Sequence, residues 1–172
     1  IWKKLQDMHL VKKDLIHIRN SDLFKYSPYK ALTEDQISVC VDLFTKIKSG
    51  SEETFIINGK PGTGKTNLAV YLVKYLKEQE ETKHLEVALV VPMTQLRGTI
   101  RKVFSKVKGL KSTMVIGPND VTKKKYDILI VDEAHRLKQR KNITNYASFD
   151  KTNRSFGLDN TGTEMEWIMR SS

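Results

Sequence analysis

Hydrophobic positions after residue 30 switch repeatedly between helical spacing and short unbroken apolar runs. Thr33 begins a helix signal: it can cap the first turn, Glu34 and Asp35 suit the positive end, and Gln36 stands at the third position of a capping box. Ile37, Cys40, Val41, Phe44 and Ile47 then form an apolar stripe that ends at Lys46, Lys48 and Gly50. Residues 54–58 read as a short strand entering a glycine-rich loop. From Lys65 a second helix follows, with Leu68, Leu72 and Leu76 recurring every four residues and Ala69, Val73 and Tyr75 widening the face.

The aliphatic run 87–91 predicts a strand buried on both sides and stopped by Pro92. Residues 94–108 predict a helix with Leu96, Ile100, Val103 and Val107 inward and Arg97, Arg101, Lys102, Lys106 and Lys108 outward. Residues 113–116 read as a short strand and 128–131 as a buried one. Twelve of the 24 residues from 141 to 164 are Asn, Thr, Ser or Gly, which predicts a long loop pinned by Phe149, Phe156 and Leu158. Thr163 and Glu166 form a capping box for a last helix carrying Met165, Ile168 and Met169. Strands alternating with helices imply an α/β fold with a mainly parallel central sheet. Residues 1–30 carry only scattered apolar positions, such as Leu5, Met8, Leu15, Ile16 and Ile18, and a break at Ser27-Pro28. They read as an N-terminal extension with no assigned role, leaving 31–172 as one domain.

Composition narrows the class. A chain of 172 residues with 39% apolar and 29% charged positions is ample for one soluble domain. Cys40 is the single cysteine, which excludes an internal disulfide and a cysteine-ligated zinc and predicts a reducing, cytoplasmic setting. No apolar run approaches the roughly 18 residues of a membrane span. The chain opens on Ile1-Trp2 with no signal-peptide pattern, which suggests an excised piece. Net charge is +10, and residues 97–141 hold thirteen basic side chains against four acidic ones, a field that attracts polyanions.

The chemistry concentrates at two places. Gly59-Lys60-Pro61-Gly62-Thr63-Gly64-Lys65-Thr66 matches the phosphate-loop pattern, in which a strand fixes the entrance and a helix presents free backbone donors to phosphate. Glycines at 59, 62 and 64 allow close backbone approach, so Gly59, Pro61, Gly62, Thr63, Gly64, Lys65 and Thr66 are the expected ATP-binding set. Lys65 is assigned to the β and γ phosphates, and the Thr66 hydroxyl to magnesium. The run 128–131 delivers Asp132 and Glu133 to the carboxyl edge of the sheet. There Asp132 is expected to hold Mg2+ and Glu133 to activate the attacking water. His135 is a candidate for coupling phosphate state to a neighbouring segment. The spacing is DEAH rather than the HExxH of a zinc site.

Leu32-Thr33-Glu34-Asp35-Gln36, the loop 59–66, the stretch 87–97 and Tyr126 through Leu137 together resemble the first RecA-like motor domain of a superfamily 1 DNA/RNA helicase. More narrowly, they resemble a helicase-like family related to the group 3 Schlafen helicase domain. The resemblance spans about residues 30–140 and implies a P-loop NTPase fold of RecA type, truncated before the complete motor. By position it assigns adenine contact to Gln36 and nucleic-acid contact to Thr94, Gln95 and Arg97. It implies an ATP-dependent helicase or translocase acting on single-stranded or duplex nucleic acid, DNA or RNA, with a second motor domain completing the site. Two alternatives compete: a P-loop ATPase that remodels a protein partner, and a non-catalytic nucleotide- or nucleic-acid-binding scaffold.

Overall fold

The computed structural model describes residues 21–172. The first twenty residues, including the apolar positions up to Ile18, lie outside them. A short helix α1 (Asp22–Lys25) precedes α2 (Glu34–Lys48) and α3 (Lys65–Glu78), followed by β1 (Val87–Val90) and α4 (Thr94–Phe104). Then come β2 (Val115–Ile116), β3 (Ile128–Val131), α5 (Tyr146–Ser155) and α6 (Glu164–Met169), with 3-10 turns at Ser112–Met114, Pro118–Lys123 and Ala134–Arg136. The result is an α/β protein whose described sheet has three parallel strands in the order β2-β1-β3.

β1 is the strand on which the sheet is built. Each of its four residues is buried, because successive side chains point to opposite faces and both faces are covered. Val87 and Leu89 enter a core with Leu72, Val73 and Leu76 of α3 and Ile100, Val103 and Phe104 of α4. Ala88 and Val90 enter a second core with Val121, Tyr126, Phe149, Trp167 and Ile168. Tyr26, just beyond α1, packs against the first core, so the described part of the N-terminal extension lies on the domain. No described helix is long and apolar enough to cross a membrane.

Several elements depart from the sequence pattern. Residues 54–58 form no strand: they join no ladder, and Ile56 is 81% exposed. β3 is consequently the outer strand of the described sheet and is half-buried along its length rather than enclosed on both sides. Ile37 and Val41 of α2 face outward, and Cys40 and Leu43 are its buried residues. α4 stops at Phe104, four residues short of Lys108. Only Val115 and Ile116 of the stretch 113–116 pair as strand.

The largest departure is α5, inside the stretch read as a loop. Asn145 caps it by accepting from the Ser148 N–H at 2.9 Å, and Phe149 and Asn153, one turn apart, are both buried. Phe149 packs on Trp167 with ring centroids 4.4 Å apart, and the Trp167 indole N–H donates to Asn153 Oδ1 at 2.6 Å. Tertiary burial thus overrides a weak local preference, the usual outcome for a short helix. The Thr163–Glu166 capping box of α6 is present. Its inward residues are Glu164, Trp167 and Ile168, whereas Met165 and Met169 are exposed.

Trp167 is fully buried, so Trp167→Ala should lower unfolding free energy by about 3–5 kcal/mol. The exposed Met169→Ala should change it by less than about 0.5 kcal/mol. Urea denaturation of the two variants checks the contrast, and equal midpoints would contradict the packing of α6.

Candidate functional site

The glycine-rich loop ends on Gly64, whose φ of +80° is the left-handed conformation that favours glycine. Gly64 is also the N-cap of α3, and no side chain caps that helix. Its first turn therefore directs backbone donors toward the loop. Gly62 shares the left-handed geometry at φ +81°. Thr63 folds back on Lys60, its N–H and hydroxyl both donating to Lys60 O at 3.3 and 2.8 Å. The Lys65 ammonium lies across the loop and donates to Gly59 O at 2.7 Å and Lys60 O at 3.0 Å. Pro61 is exposed at the tip.

The β1–β3 register runs from Val87↔Ile128 to Val90↔Val131, and the Asp132 N–H continues it by donating to Val90 O at 3.0 Å. This delivers Asp132 to the start of α3, where Thr66 Oγ1 donates to Asp132 Oδ2 at 2.9 Å. Residues 66 positions apart are joined in one bond. Asp132 is buried, and burial pushes its carboxyl pKa up, with the neighbouring Glu133 charge adding and the Thr66 hydroxyl opposing. Glu133 has a left-handed backbone, φ +53°, a conformation that costs a non-glycine residue of order 1–3 kcal/mol. Its carboxylate reaches His135 Nε2 at 3.3 Å, and His135 itself is exposed.

Gln36 reaches the same loop from α2. Its Nε2 donates to Thr63 O at 2.9 Å, while its Oε1 accepts the Thr33 N–H at 3.1 Å to complete the capping box. A cavity of about 240 Å³ lies beside it, lined by Asp35, Gln36, Ile57, Asn58, Gly59 and Lys65 among others.

The three residues assigned to nucleic acid stand together at the start of α4, with Arg97 Nη2 donating to Thr94 Oγ1 at 3.3 Å, but differ in exposure. Thr94 and Gln95 are exposed at the start of α4. Arg97, expected outward, turns back over the end of β1: its guanidinium donates to Val91 O at 2.8 Å and packs so close to Gly117 that a Cβ there would meet Nη1 at 2.5 Å. Arg101, Lys102, Lys106, Lys108 and Lys111 remain exposed, as do Lys123, Lys124 and Lys125.

Two contacts behind the acidic motif had no signature in the sequence pattern. Arg140 grips Asp150 through two bonds of 2.6 and 2.9 Å, the fork geometry of a guanidinium on a carboxylate. The buried Glu164 of α6 accepts the Lys138 N–H at 2.8 Å, while its own N–H donates to Lys138 O at 3.0 Å. That reciprocal pair fastens the chain just past the DEAH run to the last helix. A charged residue inside a capping box reads as surface, so nothing local marked Glu164 as interior.

An α/β protein with a glycine-rich loop at the carboxyl edge of parallel strands, facing a buried acid, defines the class. Residues 52–157 match the family model described as Schlafen group 3, DNA/RNA helicase domain, and the chain belongs to that family. No curated protein and no solved structure matches it. The match takes in the loop, Asp132, Glu133, the basic stretch and α5. Gln36 lies before it and α6 after it.

Burial raises the Glu164 carboxyl pKa above its ordinary 4.5, against the Lys138 N–H bond and the Lys138 and Arg97 charges. The folded chain therefore holds that proton more tightly than the unfolded one. Stability should fall as pH rises from the ordinary value through the raised one, and the loss persists at neutral pH. Glu164→Gln keeps an acceptor for Lys138 and should remove this slope, making the variant the more stable chain at pH 7. Urea midpoints between pH 4 and 7 read the difference, and a variant less stable than the parent at pH 7 would reverse the sign.

Proposed function

We propose that this domain binds ATP with magnesium and couples hydrolysis to contacts with nucleic acid, as the nucleotide-binding part of a helicase or translocase. The observation that carries the reading is the Thr66–Asp132 bond, which joins the glycine-rich loop to the acidic strand end. Family membership supplies the helicase context. The donor set fits a hard divalent cation, since magnesium takes one or two carboxylates, keeps several waters and shares phosphate oxygens.

In this reading the backbone donors of residues 59–66 and the start of α3 surround the phosphates. Lys65 leaves Gly59 O and Lys60 O for the β and γ phosphates, exchanging two neutral acceptors for an anion. Thr66 and Asp132 would hold the magnesium, which when bound neutralises charge developing on the β and γ oxygens. Glu133 orients a water for attack on the γ phosphorus and accepts its proton as the bond to the leaving bridging oxygen breaks. Gln36 and the adjoining cavity take the adenine. His135, bonded to Glu133, moves with the catalytic carboxylate and carries its state to a neighbouring segment. Thr94, Gln95 and Arg97 stand at the nucleic-acid side. Because Arg97 is already bonded to Val91 O, its part is to shape the start of α4 as much as to meet a phosphate. The exposed lysines of 102–125 provide the electrostatic track, and a second motor domain would complete the γ-phosphate site.

Lys65→Ala should weaken ATP binding by about 10- to 100-fold, the loss of a charge-assisted bond. Glu133→Gln should keep binding while turnover falls by about 10²–10⁴-fold. Fluorescent-nucleotide titration and phosphate release read these, with the longest protein that contains this chain and with single-stranded DNA, RNA, duplex or no polymer. Polymer stimulation should weaken as salt rises. Parent-like affinity and turnover in both variants would remove the catalytic assignment. Turnover indifferent to every polymer, with nucleotide-dependent capture of a protein, would instead indicate a remodelling ATPase.

A further inference from the structure

Among the described residues, side-chain hydrogen bonds reach loop residues 59–64 from two helices: from Lys65 at the start of α3 and, across 27 positions, from Gln36 of α2. The bonds other than that of Gln36 are local. Thr63 Oγ1 is tied to Lys60 O, and Lys65 is tied to Gly59 O and Lys60 O. The Lys65 bonds are the ones a phosphate displaces. Once Lys65 turns to an anion, the Gln36–Thr63 bond is the side-chain bond that still ties the loop to α2, beside the Gly64 O that accepts the Leu68 N–H of α3.

The approach is close as well as bonded. A Cβ on Gly64 would stand 3.0 Å from Gln36 Nε2, so the amide rests against the Gly64 backbone at the turn from loop to helix. Gln36 is itself held, because the capping box with Thr33 fixes it from both ends: Thr33 N–H to Gln36 Oε1, and Gln36 N–H to Thr33 Oγ1 at 3.3 Å. A glycine-rich loop loses much conformational freedom when it orders around phosphates. A bond from a capped helix end lowers that cost beforehand.

We infer that Gln36 is a positioning residue for the phosphate loop, holding Thr63 and Gly64 ready for the triphosphate whatever base is attached. The inference rests on the nucleotide-binding reading of the loop and adds a role separate from adenine contact. The two roles are compatible. A glutamine amide has two donor hydrogens and two acceptor lone pairs, and the cap and the tether use one of each. One donor and one acceptor remain, the pair that the N6/N7 edge of adenine takes.

Inorganic tripolyphosphate with magnesium is the discriminating probe, because it carries no base. Gln36→Met removes the donor without adding charge, and Gln36→Glu removes it while keeping an acceptor for the Thr33 N–H. Both should weaken tripolyphosphate and GTP by about three- to tenfold, the worth of one tether bond, and ATP by at least as much because the adenine contact is lost with it. Both should also speed hydrogen exchange at the amides of 59–64 without nucleotide, while Gln36→Glu leaves α2 protected. If Gln36→Met weakens ATP alone, with tripolyphosphate affinity and loop exchange unchanged, the positioning role is overturned and only base contact stands. If the parent binds neither ATP nor tripolyphosphate, the nucleotide reading fails by itself. Faster loop exchange in both variants would then still establish the tether.

Discussion

The site depends on one alignment: β1 and β3 run parallel and in register to their carboxyl ends, so the residue after Val131 emerges beside the first turn of α3. Asp132 is then buried with the Thr66 hydroxyl as its side-chain partner. A slip of one residue would exchange the faces of β3 and direct Asp132 into the opposite layer. The register is fixed by β1, whose alternate residues enter two separate cores and cannot exchange without exposing one set and crowding the other.

Around that contact the structure tolerates expense. Asp132 is a carboxylate with few compensating bonds, and its raised pKa records the cost of burial. Glu133 follows in a left-handed conformation that neither a helix nor a strand requires. Unfavourable backbone and buried charge side by side are common where a group is held for a ligand. The segment behind them is secured elsewhere, by Glu164 on Lys138 and Arg140 on Asp150.

The positive charge is organised by the same fold. α4 buries Ile100, Val103 and Phe104 and turns Arg101 and Lys102 outward, and the turns after it add Lys106, Lys108 and Lys111. The two arginines of α4 are also tied to strand ends, Arg97 closing the end of β1 over Gly117 and Arg101 donating to Val115 O of β2 at 2.8 Å. A basic face is thus carried on the element that directly follows the central strand, which suits a family described as a DNA/RNA helicase domain. A cation count alone could not separate the exposed lysines from these two strand-bonded arginines.

Much of the fold could be read directly from the chain. The box at Thr33 and Gln36, the Leu68–Leu72–Leu76 face, the aliphatic run of β1 and the box at Thr163 and Glu166 are local signals, each contained within a few turns or one strand. The loop pattern and the Asp132-Glu133 pair were equally plain, because they depend on residue type and spacing. What escaped was whatever a distant partner decides. α5 is polar in composition and exists because Phe149 and Asn153 meet Trp167. Residues 54–58 have strand composition and no ladder. Glu164 is interior because the Lys138 backbone needs its oxygen, and Gln36 reaches Thr63 across 27 positions. Sequence by itself determined which segments favour helix or strand and which groups carry chemistry. Tertiary structure decided which of them meet, because burial and hydrogen bonding between distant residues outweigh the fractions of a kcal/mol by which local propensities differ.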